Sequence, residues 1–231
     1  MSGFGSRVLL VREDGEPRES VSYVPDVEAG RDRRGAGVVV LGGEWGLPPE
    51  LATRFGGGLA DEGFFVVTTD IVRGKVAASA VEARRRAGEL DHEQAIEDLV
   101  AALLELKRGA SGKLGVLAFD LAATIAVEAA CVLPQLDAVV HVGGPPPGHH
   151  ARLARLRASV LFQRGEASTQ LFATDVEDVV ARAERAKVSV GAQTYPGCGD
   201  GFFTRPATDE ERHHATIAWD RTRAYFASAL S

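Results

Sequence analysis

Only two of the 231 residues are cysteine, Cys131 and Cys198. They are too few and too irregularly placed for a disulfide framework or a zinc site with paired ligands. Both are read as free thiols, and Cys131, in an apolar helical stretch, as core, because free cysteine packs as a small hydrophobe. Long hydrophobic runs are also missing. Charged residues or glycine interrupt every apolar stretch well before bilayer-crossing length, and Met1-Ser2-Gly3-Phe4-Gly5 holds no hydrophobic signal core. A cytoplasmic protein that does not enter a membrane is expected. Basic excess is absent too. The formal net charge is -6, which gives no electrostatic footprint for nucleic acid. The Gly-rich segments lack the lysine of a phosphate loop and the spacing of a dinucleotide fingerprint, so nothing calls for a nucleotide, and no cofactor or metal is expected. No repeat, linker or low-complexity segment divides residues 1–231, which are read as one domain with a small organic ligand. The sequence leaves monomer and homodimer equally open.

What is present is alternation. Arg7 to Val11 and Ser20 to Val24 read as an opening hairpin turned by Glu13-Asp14-Gly15-Glu16-Pro17. A polar run, Glu28 to Gly35, leads into Gly37-Val38-Val39-Val40-Leu41, a buried-strand pattern. Helices are expected at Pro48–Asp61, Asp91–Lys107, Ala122–Val132, Val176–Ala186 and Asp209–Ala227. Strands are expected at Phe64–Thr68, Lys113–Ala118, Ala138–Val142, Ser159–Gln163 and Ser189–Tyr195. Repeated βα units imply an α/β fold, a doubly wound and mostly parallel sheet with helices on both faces. Gly56-Gly57-Gly58 inside a helix calls for a kink or a close backbone approach, since glycine there costs roughly 1 kcal/mol relative to alanine.

Ligands of such sheets sit at the carboxyl ends of the strands. The places to search are Gly42-Gly43-Glu44-Trp45, Asp70, Phe119-Asp120-Leu121, His141 to Gly144, and Gly197-Cys198-Gly199-Asp200. Five segments in this order resemble the dienelactone hydrolase family, an α/β-hydrolase fold, from about Tyr23 to Phe226. They are Gly37–Leu41 with Trp45-Gly46-Leu47; Gly63 through Asp70; Gly112–Phe119 leading to the nucleophile elbow; Tyr195-Pro196-Gly197 with Gly201-Phe202-Phe203; and Ala218-Trp219-Asp220-Arg221-Thr222 with Phe226. The resemblance implies a cysteine or serine nucleophile, an acid and a histidine. In their places stand Asp120, Ser168 of Gly165-Glu166-Ala167-Ser168, and Asp200 of Tyr195-Pro196-Gly197-Cys198-Gly199-Asp200-Gly201-Phe202. Where the family has a glutamate after its first core strand, this chain aligns Gly43, with Glu44 one step on.

A triad needs an imidazole to activate its nucleophile, so these replacements imply that standard ester hydrolysis is lost. Asp120 and Asp200 in one cavity would repel, raising one pKa and giving an acid and a base. Isomerisation, dehydration or ring closure of a lactone, enol or polyketide-like compound of specialised metabolism is then the leading reading, with Glu44 and Leu121 backbone N–H groups as an oxyanion site. A ligand-binding or partner protein without catalysis is one alternative. A hydrolase with Asp120 as nucleophile is another, needing a base such as His141, His149 or His150. Against all three stands the plain reading that Asp120 caps a helix and Asp200 accepts turn hydrogen bonds. Trp45, His141, Cys198 and Arg205 are candidate ligand contacts. Arg205 lies within one residue of a position where the resemblance implies an arginine for a substrate carboxylate. His213-His214 points two ways on a helix and cannot hold one metal, and Arg84-Arg85-Arg86 reads as surface.

Overall fold

The computed structural model describes residues 5–11, 17–23, 35–147 and 153–231. Eight strands form one sheet: β1 (Gly5–Val11), β2 (Pro17–Tyr23), β3 (Gly37–Gly42), β4 (Phe65–Asp70), β5 (Leu114–Phe119), β6 (Ala138–Val142), β7 (Ser159–Gly165) and β8 (Val190–Tyr195). Their spatial order is β1-β2-β4-β3-β5-β6-β7-β8. The β1/β2 and β2/β4 pairs are antiparallel, and every later pair is parallel. The expected hairpin turn, Val24, the polar run up to Arg34, and His149 with His150 lie outside the described residues.

Side-chain alternation sends successive residues to opposite faces. Val39, Leu41, Val116 and Val139 join one core cluster with Leu99, Ile125 and Val176. They pack under α4 (His92–Leu106), α5 (Leu121–Ala130) and α6 (Ala173–Arg185). Val38, Val40, Leu117 and Val140 join the other with Phe55, Leu59 and Phe226. That face is covered by α1 (Pro49–Ala52), a π-helical turn (Thr53–Gly57), α2 (Gly58–Asp61) and α7 (Asp209–Ala229). Because both faces are covered, the central strands read as unbroken apolar runs.

The three glycines where the π-turn runs into α2 divide by their surroundings. A Cβ on Gly56 would lie 2.6 Å from the Tyr23 ring and one on Gly58 would lie 2.8 Å from the Trp219 ring, whereas Gly57 has open space. Close approach therefore requires two of them. Beneath the sheet's carboxyl edge, Phe55 stacks on Phe203 at 5.2 Å and lies 4.9 Å from Phe119 and 5.3 Å from Trp219. This aromatic cluster anchors the residue before Asp120 and the turn after Asp200 to one support.

One helix goes beyond the sequence reading: α3 (Ala80–Glu89), capped by Ser79 Oγ accepting from Glu82 N–H. It buries only Ala83, so it carries no apolar stripe to announce it. The run Arg84-Arg85-Arg86 lies on it, with ion pairs Arg85–Glu89 and Arg86–Glu82 at helical spacing. Gly88 in its last turn is exposed, with nothing within 4 Å of an added Cβ. Gly88→Ala is expected to raise stability by about 0.5–1 kcal/mol, read as a higher urea midpoint.

Candidate active site

Asp120 follows β5 directly and precedes α5, at φ 52°, ψ −133°, a backbone conformation that a non-glycine residue adopts only when its surroundings enforce it. They do so here. The Asp120 N–H donates to the Val142 carbonyl at 3.0 Å and its own carbonyl accepts the Ala123 N–H at 3.0 Å. The sharp turn lifts the Asp120 side chain to the carboxyl edge of the sheet. Asp120 does not cap α5 with its side chain; its carboxylate faces Arg205 instead. Both terminal nitrogens of Arg205 donate to Asp120 Oδ2, at 3.3 and 3.4 Å, and the guanidinium carbon lies 4.2 Å from the Trp45 ring centre.

Asp120, Ser168 and Asp200 line one cavity with Gly143, Gly165 and Phe203. Its free volume is about 10 Å³, room for roughly one water. The Asp200 carboxylate accepts from three donors: the Ser168 hydroxyl, the Thr169 N–H at 3.0 Å and the Thr169 hydroxyl at 2.6 Å. Thr169 belongs to no motif that would mark it in the sequence. Buried Arg164 braces the same loop, donating to the Leu171 carbonyl at 2.9 Å and the Glu166 carbonyl at 3.0 Å.

Glu44 is buried, and its carboxylate takes up the N–H groups expected to form an oxyanion site. Leu121 N–H donates to Oε2 at 2.9 Å, and the backbone N–H of Glu44 itself bonds the carboxylate. Burial first, then the charge of Asp120, push the Glu44 carboxyl above its ordinary range. Burial likewise raises Asp120, opposed by Arg205 and reinforced by Asp200. Asp120 thus meets the Arg205 guanidinium directly, and the charges of Glu44 and Asp200 both bear on this site.

None of the four expected ligand contacts lines the cavity: Trp45 and Arg205 lie beside Asp120, and the other two are buried in the cores. Alternation along β6 turns His141 to the face carrying α5, where it is fully buried 4.8 Å from Phe162, with Nε2 3.4 Å from the Pro145 carbonyl. Burial lowers its pKa to about 4. The unfolded chain protonates near pH 6.5 while the folded one resists, so stability present above pH 6.5 is lost as pH falls toward 4, by roughly 3 kcal/mol in all. His141→Gln should shrink the loss between pH 7 and pH 4.5 by roughly 2 kcal/mol in urea unfolding; an unchanged loss would refute this assignment. Cys198 is fully buried in the opposite core, and burial with Glu211 and Glu210 pushes its thiol up to about 11. Its contribution is its carbonyl, which accepts the Ala167 N–H at 2.9 Å beside Ser168. Asp70 folds the turn after β4, its Oδ1 accepting the N–H groups of Val72 and Gly74. His213 is exposed and His214 lies against Tyr195. Among the described residues, no group of three or more His, Cys, Asp or Glu side chains is arranged to hold a metal ion, and no helix is long and apolar enough to cross a membrane.

This arrangement of strands and helices is shared with known proteins. The sequence profile of the dienelactone hydrolase family matches residues 25–230. The chain belongs to that family. Its fold is the α/β-hydrolase fold: it superposes with TM-score 0.82 at 19% identity on a Klebsiella pneumoniae protein assigned as a dienelactone hydrolase, covering 99% of this chain and all of that one. It does so with TM-score 0.82 at 18% identity on the dienelactone hydrolase-like promiscuous phosphotriesterase P91 from metagenomic libraries, over the full length of both. An acylaminoacyl peptidase of Pyrococcus horikoshii superposes with TM-score 0.73 at 11% identity, over all of this chain and 42% of the peptidase. No curated protein matches the sequence.

Proposed function

We propose that this dienelactone hydrolase family member binds a small oxygenated organic molecule, a lactone, enol or polyketide-like compound, and moves protons on it with carboxylates instead of hydrolysing it. The observation that carries the reading is that Asp120, bonded to Arg205, has the carboxylates of Glu44 and Asp200 near enough for their charges to act on one another, with no imidazole among the described residues reaching the cavity. Asp120 is the proton carrier. A carboxyl held above its ordinary range is a stronger base at neutral pH than a solvated one, and general acid–base catalysis works best when the pKa approaches the working pH. Glu44 vacates the Leu121 N–H when a ligand's oxyanion or enolate takes its place, since both are anionic oxygens of similar demand. Asp200 acts through its charge and by pinning the Ser168–Thr169 loop, and Arg205 with Trp45 receives the ligand's acidic group. The Ser168–Asp200 bond joins the two loops whose residues are the acid and the histidine in the family pattern, now with a hydroxyl donating to a carboxylate.

Among the described residues no imidazole reaches the cavity to activate water, the second step that a nucleophilic role for Asp120 needs. A protein without catalysis, binding a ligand or a partner, is the second reading, favoured by a cavity with room for about one water and not for a substrate. Solvent-deuterium incorporation into a panel of enol lactones and β-keto esters tests the choice. Incorporation is expected with the wild type and a loss of 100-fold or more with Asp120→Asn, the scale of a general acid–base contribution. Ligand binding by both proteins with incorporation by neither would select the silent binder.

A further inference from the structure

The sheet ends in β8, the last strand in the spatial order, and among the described residues only β7 pairs with it. Val190 and Gln193 are half-buried, while Gly191, Ala192 and Thr194 are exposed. In a strand the N–H and C=O of one residue point the same way, and the direction alternates along the chain. Ser189 and Tyr195 turn their carbonyls to the β7 side, accepting the N–H groups of Val160 at 3.0 Å and Glu166 at 2.9 Å. The residues of the other parity, Val190, Ala192 and Thr194, therefore turn both backbone groups to the open edge. Edges of this kind are ordinarily guarded by charged side chains, by proline or by a bulge. Val190-Gly191-Ala192-Gln193-Thr194 has neither charge nor proline, and its register with β7 runs unbroken from Val160–Val190 to Gly165–Tyr195.

We propose that β8 is a pairing edge for a second copy of this chain, joined antiparallel about a two-fold axis at Ala192. Only residues whose backbone groups face outward can exchange bonds across the edge. An axis at Ala192 sets Ala192 opposite its own copy and Val190 opposite Thr194, roughly six backbone hydrogen bonds in all. The charges at the two ends of the strand suit this occupant. Exposed Lys187 closes the turn that leads into β8, with exposed Arg185 ahead of it. Past the other end, the exposed Glu166 carboxylate accepts the Gly197 N–H at 3.2 Å, and an added Cβ on Gly197 would lie 3.3 Å from the carboxyl of exposed Glu210. Antiparallel pairing at this register brings Lys187 of each copy to Gly197 of the other, cation against carboxylates. Glu184 and Arg221 carry the opposite charge at the same two ends, and Arg221 is engaged over the Tyr195 ring at 5.4 Å. Pairing at β8 requires none of the proposed proton transfer.

A strand of six residues gives a small interface by itself, so sedimentation velocity from about 2 to about 200 µM is expected to show a reversible homodimer with a dissociation constant of about 1–100 µM. Ala192→Pro removes an N–H that faces outward, a change an edge strand tolerates, and is expected to weaken the dimer at least about tenfold. Lys187→Glu, which sets carboxylate against carboxylate, is expected to weaken it about fivefold. The register has its own readout. Cys131 and Cys198 are buried, so an introduced cysteine is the accessible one. Facing residues of a hydrogen-bonded antiparallel pair lie about 5.5 Å apart at Cα, within reach of a disulfide. Oxidation should therefore cross-link Ala192→Cys into a covalent dimer and leave Thr194→Cys, whose two copies lie four residues apart along the strand, largely uncrosslinked. A monomer at every concentration, an affinity unmoved by Ala192→Pro or by Lys187→Glu, or cross-linking of Thr194→Cys as ready as that of Ala192→Cys overturns the proposal. Far-UV circular dichroism checks the fold of each variant, and the cysteine pair decides the matter if Ala192→Pro does not fold.

Discussion

Replacing three residues together, Asp120→Cys, Ser168→Asp and Asp200→His, is expected to give an esterase that cleaves p-nitrophenyl acetate at least about 100-fold faster than the wild type, with a burst from acyl-enzyme formation. The backbone for this device is already in place. The elbow holds residue 120 at the carboxyl edge in the strained conformation a nucleophile there requires, and the loops after β7 and β8 are bonded through Ser168 and Asp200. The two changes in those loops keep a hydrogen bond at that contact and reverse its polarity, so that an imidazole N–H donates to a carboxylate. The third supplies a nucleophile and removes the carboxylate that grips Arg205. Members of such a device act as a unit, so Asp120→Cys alone should gain little. A triple variant no faster than that single one would mean that the loops are not positioned as the structure has them.

Gly144→Ala is expected to destabilise the protein by more than about 3 kcal/mol, the range of severe overpacking. An added Cβ would lie 2.0 Å from the Asp120 carbonyl oxygen and 2.5 Å from its carbon, at φ +74°. The Asp120 backbone has nowhere to go, being bonded to Val142 on one side and Ala123 on the other. The neighbouring Gly143 makes the control. It also has positive φ, but an added Cβ meets only Asp120 Oδ1 at 3.8 Å, so Gly143→Ala should cost about 1–2 kcal/mol from backbone strain alone. Equal losses for the two variants, in urea unfolding, would show that the close approach at Gly144 is not what the elbow depends on.

These contrasts also mark what the sequence makes legible. The buried strands announce themselves as β-branched runs because helices cover both faces; the Asp200 turn is readable because Gly199 and Gly201 bracket it, the Ser168 loop because Gly165 opens it, and the elbow because it stands between a buried strand and an apolar helix. Asp120, Ser168 and Asp200 could therefore be placed at one edge before any coordinates. The helix α3 could not, since a helix that buries one alanine leaves no periodic trace. For His141, a candidate ligand contact that could equally be a packed strand residue, the sequence carries a signal for packing: it has the parity of Val139, which faces the α5 side. Glu44 was read for its backbone N–H alone, because nothing local says that a side chain will turn back onto the N–H of a residue 77 positions away. The stacking of Arg205 on Trp45 is of the same kind, a tertiary contact between segments with no shared pattern. Strand β4 runs on to Asp70, two residues past the expected end, because Asp70 still pairs with Gly42 of β3 before its side chain closes the turn.

The most direct test of the central claim is one proton NMR experiment on the wild type in D₂O, with an enol lactone whose exchangeable C–H signal and ring-opened product are both resolved. The account predicts enzyme-dependent loss of the C–H signal to deuterium while the lactone ring stays intact. Ring opening that keeps pace with or outruns exchange would contradict it, and would return Asp120 to the role of a hydrolytic nucleophile.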